Sequence, residues 1–124
     1  MDSKHIAVNA ARRMLDKGGE HVVVLALPPG QAIFDYVVLG SGRSERQTAT
    51  LANEVYHFCK RHQLAHHPVE GELGWRVVDC YDVIAHAFTE EARQHYNLDR
   101  LWSDAQALDL DAELATVPDP DADE

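Results

Sequence analysis

The residues with the clearest potential for chemistry are two aspartates, Asp79 and Asp82, in the segment WRVVDCYDVIAHAF, residues 75–88. Paired carboxylates can hold the metal ions that activate phosphoryl transfer from a nucleoside triphosphate. The stretch Gly40-Ser41-Gly42 precedes a predicted helix, whose free amides could bind a phosphate. Together these features suggest a nucleotidyltransferase, but the two aspartates straddle a predicted turn instead of alternating along one strand.

The glycine stretch also fits a purely structural role. It lacks the rest of a P-loop and the third glycine of a dinucleotide-binding motif. A tight turn from a strand into a capped helix explains it with fewer assumptions than a phosphate site does. A nucleotidyltransferase therefore stays the alternative function.

Histidines form the second group that could do chemistry. Four of them lie close together: His57, His62, His66 and His67. On a helix His62 lies on the apolar side and His57 away from it, and the spacing matches no zinc motif. We therefore predict no metal ion and no cofactor. Cys59 and Cys80 form no CxxC pair and are expected to be reduced thiols in the core.

Length and charge limit the class of protein. A chain of 124 residues suffices for one domain with its own core. Of its 21 acidic residues, eight lie in residues 104–124, where no Lys or Arg occurs, so residues 1–103 hold 13 acidic and 11 basic residues. Since nucleic-acid binding needs a concentrated basic face, direct binding to RNA or DNA is not expected. No run approaches the ~20 apolar residues that cross a bilayer, so we expect a cytoplasmic protein without a membrane partner.

These candidate residues must be positioned by one sheet and its helices. The apolar run at residues 21–27 is typical of a strand covered on both faces. About five strands are predicted, at residues 21–27, 33–39 and 66–70 and in each half of residues 75–88. Three helices are predicted, at residues 3–17, 44–63 and about 89–96. The sequence thus predicts one α/β domain over residues 1–103, with flanking helices on the sheet.

Local sequence patterns predict caps for two of the helices and disorder at the end of the chain. Ser44 followed by Gln47 is a capping-box pattern, and Thr89 offers a cap hydroxyl before two glutamates. The alternating prolines and acids of residues 104–124 cannot build a core, so we predict a disordered acidic tail there.

The strand pair at residues 75–88 also offers a surface for binding. Trp75 shares a strand face with Val77 and Asp79, and His86 lies on an otherwise apolar strand. If this face is uncovered, it is an apolar patch with a tryptophan, which is typical of a protein interface. If it is covered, Trp75 belongs to the core.

A set of short motifs follows in a distinctive order over residues 5–105. They are Asp35-Tyr36, Val69-Glu70-Gly71, Trp75, Asp79, Asp82-Val83, His86 and Leu101-Trp102-Ser103. This combination resembles the ribosomal silencing factor family, also called RsfS or Iojap-like proteins. The resemblance implies a compact domain with a mixed sheet that is related in shape to nucleotidyltransferases but has no known catalysis.

The resemblance also implies a function. Family members bind the large ribosomal subunit through ribosomal protein L-fourteen, block joining of the subunits and repress translation when nutrients are limiting, and free members often form homodimers. We therefore expect a regulator without enzymatic activity. Its expected contact residues are Trp75, Val77, Asp79, Tyr81, His86, Leu101 and Trp102. Tyr81 stands where the family usually has glycine, so a positive φ at this turn would be harder to adopt.

Overall fold

A mixed sheet forms the centre of the fold in the computed structural model, which describes residues 1–30 and 32–122. In chain order its strands are β1 (Glu20–Ala26), β2 (Tyr36–Gly42), β3 (Glu70–Glu72), β4 (Trp75–Asp79), β5 (Val83–Thr89) and β6 (Gln106–Ala107). In space the order is β3-β4-β5-β2-β1-β6, with β2 and β5 parallel and the other described neighbours antiparallel. The predicted mixed α/β fold is confirmed, and the described sheet has six strands, one more than predicted.

Helices pack on both faces of this sheet. Those in the described part of the chain are α1 (Ser3–Asp16), α2 (Glu45–Arg61), α3 (Glu90–His95), α4 (Leu98–Leu101) and α5 (Leu110–Thr116). The predicted caps are confirmed, since the Ser44 hydroxyl accepts from the Gln47 amide and the Thr89 hydroxyl from the Ala92 amide. None of the described helices has the length and apolar character needed to cross a bilayer.

The two faces of the sheet are covered to different extents. α1 and α2 pack on one face and enclose the larger core, which includes Met14, Val24, Val38, Leu51, Val55 and Phe58, all fully buried. On the other face Val37, Leu39 and Phe88 are buried beneath partly exposed side chains such as Ala92 of α3 and Trp102. Because α3 and α4 are short, they leave part of this second face accessible.

The Gly40-Ser41-Gly42 stretch lies inside β2, so the predicted strand-to-helix turn is wrong at these positions. A Cβ on Gly40 would lie 2.6 Å from the Met14 sulfur, and a Cβ on Gly42 would lie 2.5 Å from the Thr48 hydroxyl oxygen. The glycines thus let α1 and α2 approach the sheet closely. Composition cannot distinguish this use of glycine from a turn, because both require a missing side chain.

Residues 104–122 contain β6 and α5, so the prediction of a disordered tail is wrong for them. β6 pairs with β1, and the Asp109 side chain caps α5 by accepting from the Ala112 amide. Beyond α5, the Asp119 carboxylate pairs with Arg13 of α1 at 2.7 Å. Composition counts acidic residues but does not reveal the cations that pair with them. Residues 123 and 124 of the predicted tail lie outside the described residues.

Candidate functional site

The partly uncovered face of the sheet carries a cluster of rings. We call it the aromatic surface, and it consists of Phe34, Trp75, His86, Tyr96 and Trp102. The Trp75 ring centroid lies 5.5 Å from that of Tyr96 and 5.9 Å from that of His86. Trp102 continues the cluster, 6.3 Å from His86 and 5.8 Å from Phe34. These rings come from five different segments of the chain, which the fold brings together.

Strand register explains why the rings meet. β4 and β5 are antiparallel, with Val77 opposite His86 and Trp75 opposite Phe88. Since side chains two residues apart in a strand share a face, Trp75, Val77 and His86 point to the same side. The opposite side of β5 is packed against α2, whereas Trp75 and Val77 stay partly exposed.

Exposed apolar side chains surround the aromatic surface. Ile33 is 95% exposed, Leu73 82% and Leu101 65%, and Tyr96 of the aromatic surface is itself 58% exposed. Leu73, Tyr96, Trp75 and Val77 line a groove of about 360 Å³ beside β3. An exposed apolar area of this kind is typical of a site that binds a protein partner.

His86 lies at the centre of the aromatic surface as a neutral ring. Its Nδ1 accepts a hydrogen bond from the Trp75 indole Nε1 at 3.1 Å, so Nδ1 carries no proton. Burial among apolar groups lowers the pKa of His86 to about 4. The hydrogen bond fixes the orientation of Trp75 and satisfies its only polar atom.

Asp79 and Tyr81 lie at the turn between β4 and β5, at the opposite end of β4 from Trp75. The Asp79 carboxylate accepts from the Tyr81 amide at 2.8 Å and so stabilises the turn. Tyr81 adopts a φ of 65°, in the left-handed region that glycine reaches without strain. Its exposed ring lies 5.1 Å from that of His67. The side chain is therefore displayed at this turn, away from the aromatic surface.

The structure brings five of the predicted contact residues together and separates two. Trp75, Val77, His86, Leu101 and Trp102 lie on or beside the aromatic surface, whereas Asp79 and Tyr81 do not.

Four exposed or ring-bearing residues of this region were not selected from the sequence. Ile33 was assigned to a strand that begins only at Tyr36, and neighbouring Phe34 and the distant Tyr96 join the cluster through tertiary contacts. The exposure of Leu73 is predictable from the sequence, because a leucine between Glu72 and Gly74 lies in a tight turn at the surface.

The nucleotidyltransferase alternative requires the carboxylates and the glycine stretch to contact the same phosphates. In the parallel pair of β2 and β5, Tyr36 lies beside Val83 and Gly42 beside Thr89. Asp82 is therefore at one end of these strands and Gly42 at the other, about 20 Å apart at about 3.3 Å per residue. Within residues 1–30 and 32–122, no group of three or more His, Cys, Asp or Glu side chains is placed to hold a metal ion.

The fold is that of an α/β domain with one sheet face largely enclosed and one partly open. Residues 1–124 match the family model described as "Ribosomal silencing factor during starvation". Ribosomal silencing factor RsfS of Bacillus subtilis is 33% identical over 113 residues, which cover 90% of this chain and 96% of that protein. The chain belongs to the ribosomal silencing factor family.

Two further similarities extend this result. A crystal structure of a Chromobacterium violaceum protein has a TM-score of 0.77 and 27% identity, covering 82% of this chain and 87% of that one. A mouse protein named mitochondrial assembly of ribosomal large subunit protein 1 is 29% identical over 105 residues, covering 79% of this chain and 46% of that protein. The family fold is thus shared across most of the chain.

Proposed function

We propose that this protein binds the large ribosomal subunit through ribosomal protein L-fourteen, sterically blocks joining of the subunits and so represses translation under nutrient limitation. The observation that supports a binding role best is the aromatic surface with its exposed apolar rim. Membership of a family of ribosomal silencing factors supports the ribosome as the target. The name of the mouse relative refers to the large subunit, which supports the choice of subunit.

The chemistry of the aromatic surface suits a protein partner. Interfaces of about 1,600 Å² derive most of their binding energy from a few anchors, among which tryptophan and tyrosine are enriched. A partner that covers Trp75 does not leave the indole N–H without a hydrogen bond, because this group already donates to His86. His86 is neutral near pH 7 and so adds no buried charge.

The predicted residues divide into two groups within this proposal. Trp75, Val77, Leu101 and Trp102 would supply apolar area, with His86 orienting Trp75. Tyr81 would form an outlying contact at the β4–β5 turn, which Asp79 stabilises. Steric exclusion requires no catalytic residue, so we propose no reaction for this protein. The homodimer of the free protein and its cytoplasmic location stay predictions.

Co-sedimentation with purified large ribosomal subunits tests the proposal. We expect the wild-type chain to sediment with the subunits, and Leu101→Asp to weaken binding by about tenfold or more, because a charge would be buried in the apolar interface. Leu15→Asp is the matched control, since Leu15 is 40% exposed but lies on α1, on the other side of the sheet. Equal losses for both variants, or no sedimentation of the wild type, would contradict the proposal.

Two further assays separate the finer claims. Binding to purified L-fourteen, weakened by Leu101→Asp but not by Leu15→Asp, would support that protein as the contact. Addition of the wild-type chain should also reduce the fraction of joined ribosomes when the two subunits are mixed. Magnesium-dependent consumption of a nucleoside triphosphate, abolished by Asp79→Asn, would instead favour the nucleotidyltransferase.

A further inference from the structure

The C-terminal segment, residues 109–122, lies across a group of cations on α1 and α2. Arg13 pairs with Asp119 at 2.7 Å and with Asp121 at 2.6 Å, and it is only 6% exposed. Asp121 also pairs with Arg61 and lies 2.6 Å from the His62 Nε2. One carboxylate thus contacts three basic side chains, and its hydrogen bonds with Arg61 and His62 hold the pKa of Asp121 well below its usual range.

Further contacts of the same kind fix the rest of this segment. Arg12 donates to the Leu114 carbonyl at 3.0 Å and to the Val117 carbonyl at 2.8 Å. Lys4 pairs with Glu113 at 2.8 Å. We call the basic side chains beneath the segment the basic face, and they are Lys4, Arg12, Arg13, Arg61 and His62.

The C-terminal segment is held mainly by charge and hydrogen bonds. No described side chain of α5 is fully buried. The segment's apolar contacts with the core are those of Val117, which is buried, and of Leu110, which is partly buried. Ion pairs near a surface are screened by salt and can exchange one anion for another, whereas buried apolar contacts cannot. A segment held in this way can be displaced by a competing polyanion without loss of the core.

The basic face has the groups that recognise phosphate. Arg12, Arg13 and Arg61 provide planar guanidinium forks, which match the oxygens of a phosphate. The Nε atom of Arg13 is buried and has no hydrogen-bond partner among the described residues. Arg61 also lines an adjacent groove of about 300 Å³ together with His57 and Lys60. If the C-terminal segment leaves, Asp16, 3.4 Å from Arg13, is the carboxylate that remains on that guanidinium.

We propose that the basic face binds the phosphate backbone of RNA and that the acidic C-terminal segment occupies this site as an intramolecular competitor. The choice of RNA rests on the proposed function, since RNA phosphates are the dominant anions of a ribosome. The basic face lies on the helical layer, and the aromatic surface lies on the other side of the sheet. One chain can therefore contact protein through the sheet and RNA through the helices at the same time.

Fluorescence anisotropy with a short fluorescein-labelled RNA duplex at low salt tests this inference on the full-length chain. We expect the double variant Asp119→Asn, Asp121→Asn to bind the duplex about tenfold more tightly than the wild type, because about two phosphate contacts become available. The matched control is Asp104→Asn, Asp111→Asn, which removes the same charge from positions that make no ion pair among the described residues. Its affinity should stay within about twofold of the wild-type affinity, because net charge alone has a small screened effect. Equal gains for both double variants would overturn the inference.

Adding Arg61→Gln to the Asp119→Asn, Asp121→Asn variant should return the affinity to the wild-type value, since Arg61 is half exposed and its loss spares the core. If the higher RNA affinity persists without Arg61, the RNA binds at a site other than the basic face. The inference would also be overturned if the Asp119→Asn, Asp121→Asn variant bound polyglutamate more tightly than the wild type does but bound RNA with unchanged affinity. That result would identify an acidic protein as the partner.

If the Asp119→Asn, Asp121→Asn variant does not fold, an NMR titration of the wild-type chain still tests the inference. Titration of the RNA duplex into isotope-labelled protein should move the amide resonances of residues 112–121 towards unstructured positions. RNA binding that leaves these resonances unchanged would contradict displacement of the segment. The duplex assay contains no ribosomal subunit, so its result does not depend on whether the chain co-sediments with large subunits. Co-sedimentation likewise does not depend on the result of the duplex assay.

Discussion

The two faces of the sheet show how burial selects different side chains. The face under α1 and α2 is filled with aliphatic residues, among them Val24, Val38 and Leu51, that are fully buried. The other face carries indole, phenol and imidazole rings that remain partly exposed. Burying an aliphatic side chain stabilises the fold, whereas an aromatic ring with a polar atom tolerates both water and a partner. The enclosed face therefore stabilises the fold, and the open face is available for binding.

The same substitution on each face should give the largest contrast. Leu51→Ala, on the enclosed face, should lower the free energy of unfolding by about 2–5 kcal/mol, because it removes buried methyl groups and leaves a cavity. Leu101→Ala, at a position 65% exposed, should change it by about 0.5 kcal/mol or less. Urea unfolding of both variants measures the difference. If both variants lose a similar free energy of unfolding, the open face is as tightly packed as the enclosed face.

His86 should make the open face sensitive to acid. Its pKa of about 4 in the folded chain lies below the ordinary value of 6.5, so the unfolded chain binds the proton more readily between these values. The stability contributed by neutral His86 is complete above about pH 6.5 and is lost as the pH falls towards 4. From about pH 7 to about pH 5 the wild type should lose about 2 kcal/mol more than His86→Gln does.

Thermal or urea unfolding across this pH range measures the effect of His86. The glutamine variant serves as the reference because it keeps a polar group that can accept from Trp75 but cannot be protonated in this range. Parallel pH curves for the two proteins would mean that His86 titrates normally and is not enclosed by the aromatic surface.

Gly42 tests how closely the helical layer approaches the enclosed face. Gly42→Ala should lower the free energy of unfolding by about 1–3 kcal/mol, since the new Cβ would meet the Thr48 backbone nitrogen at 2.8 Å. Gly30→Ala is the comparison, because its Cβ would have no atom within 4 Å and only the φ of 80° would be strained. A smaller loss for Gly42→Ala than for Gly30→Ala, measured by urea unfolding, would contradict the close packing.

The smallest expected effect concerns Tyr81 at the β4–β5 turn. Tyr81→Gly should raise the free energy of unfolding by about 0.5 kcal/mol, because glycine adopts the left-handed φ without strain. Tyr81→Ala should not raise it, since alanine keeps the strain and loses the contact with His67. If Tyr81→Gly is stabilising yet weakens subunit binding, the tyrosine has been retained for contact and not for the fold.

Regular secondary structure was the part of the fold most accessible from the sequence. The strands at Trp75 and Val83 and the caps at Ser44 and Thr89 were predicted correctly, because period-two alternation and capping patterns are local. Membership of the family was also accessible, since it depends on the order of motifs along the chain.

Features that depend on distant partners were not accessible. The local sequence predicts a turn at Gly42, because it does not reveal the close approach of Thr48 to this position, which is a tertiary contact. The local sequence predicts disorder around Asp119, because the acidic residues there are ordered only by distant cations such as Arg13 of α1. The local pattern places Phe34 in a strand, because nothing local indicates its contact with Trp102.

The sequence by itself determined the positions of the main strands and helices, since hydrophobic periodicity and capping act over a few residues. Only the tertiary structure decided which sheet face stays open, because that depends on where two long helices and two short ones pack. It also decided that an acidic segment covers a basic face, since ion pairs more than 100 residues apart in the chain exist only after folding. Net charge gave the balance of acids and bases but not their arrangement in space.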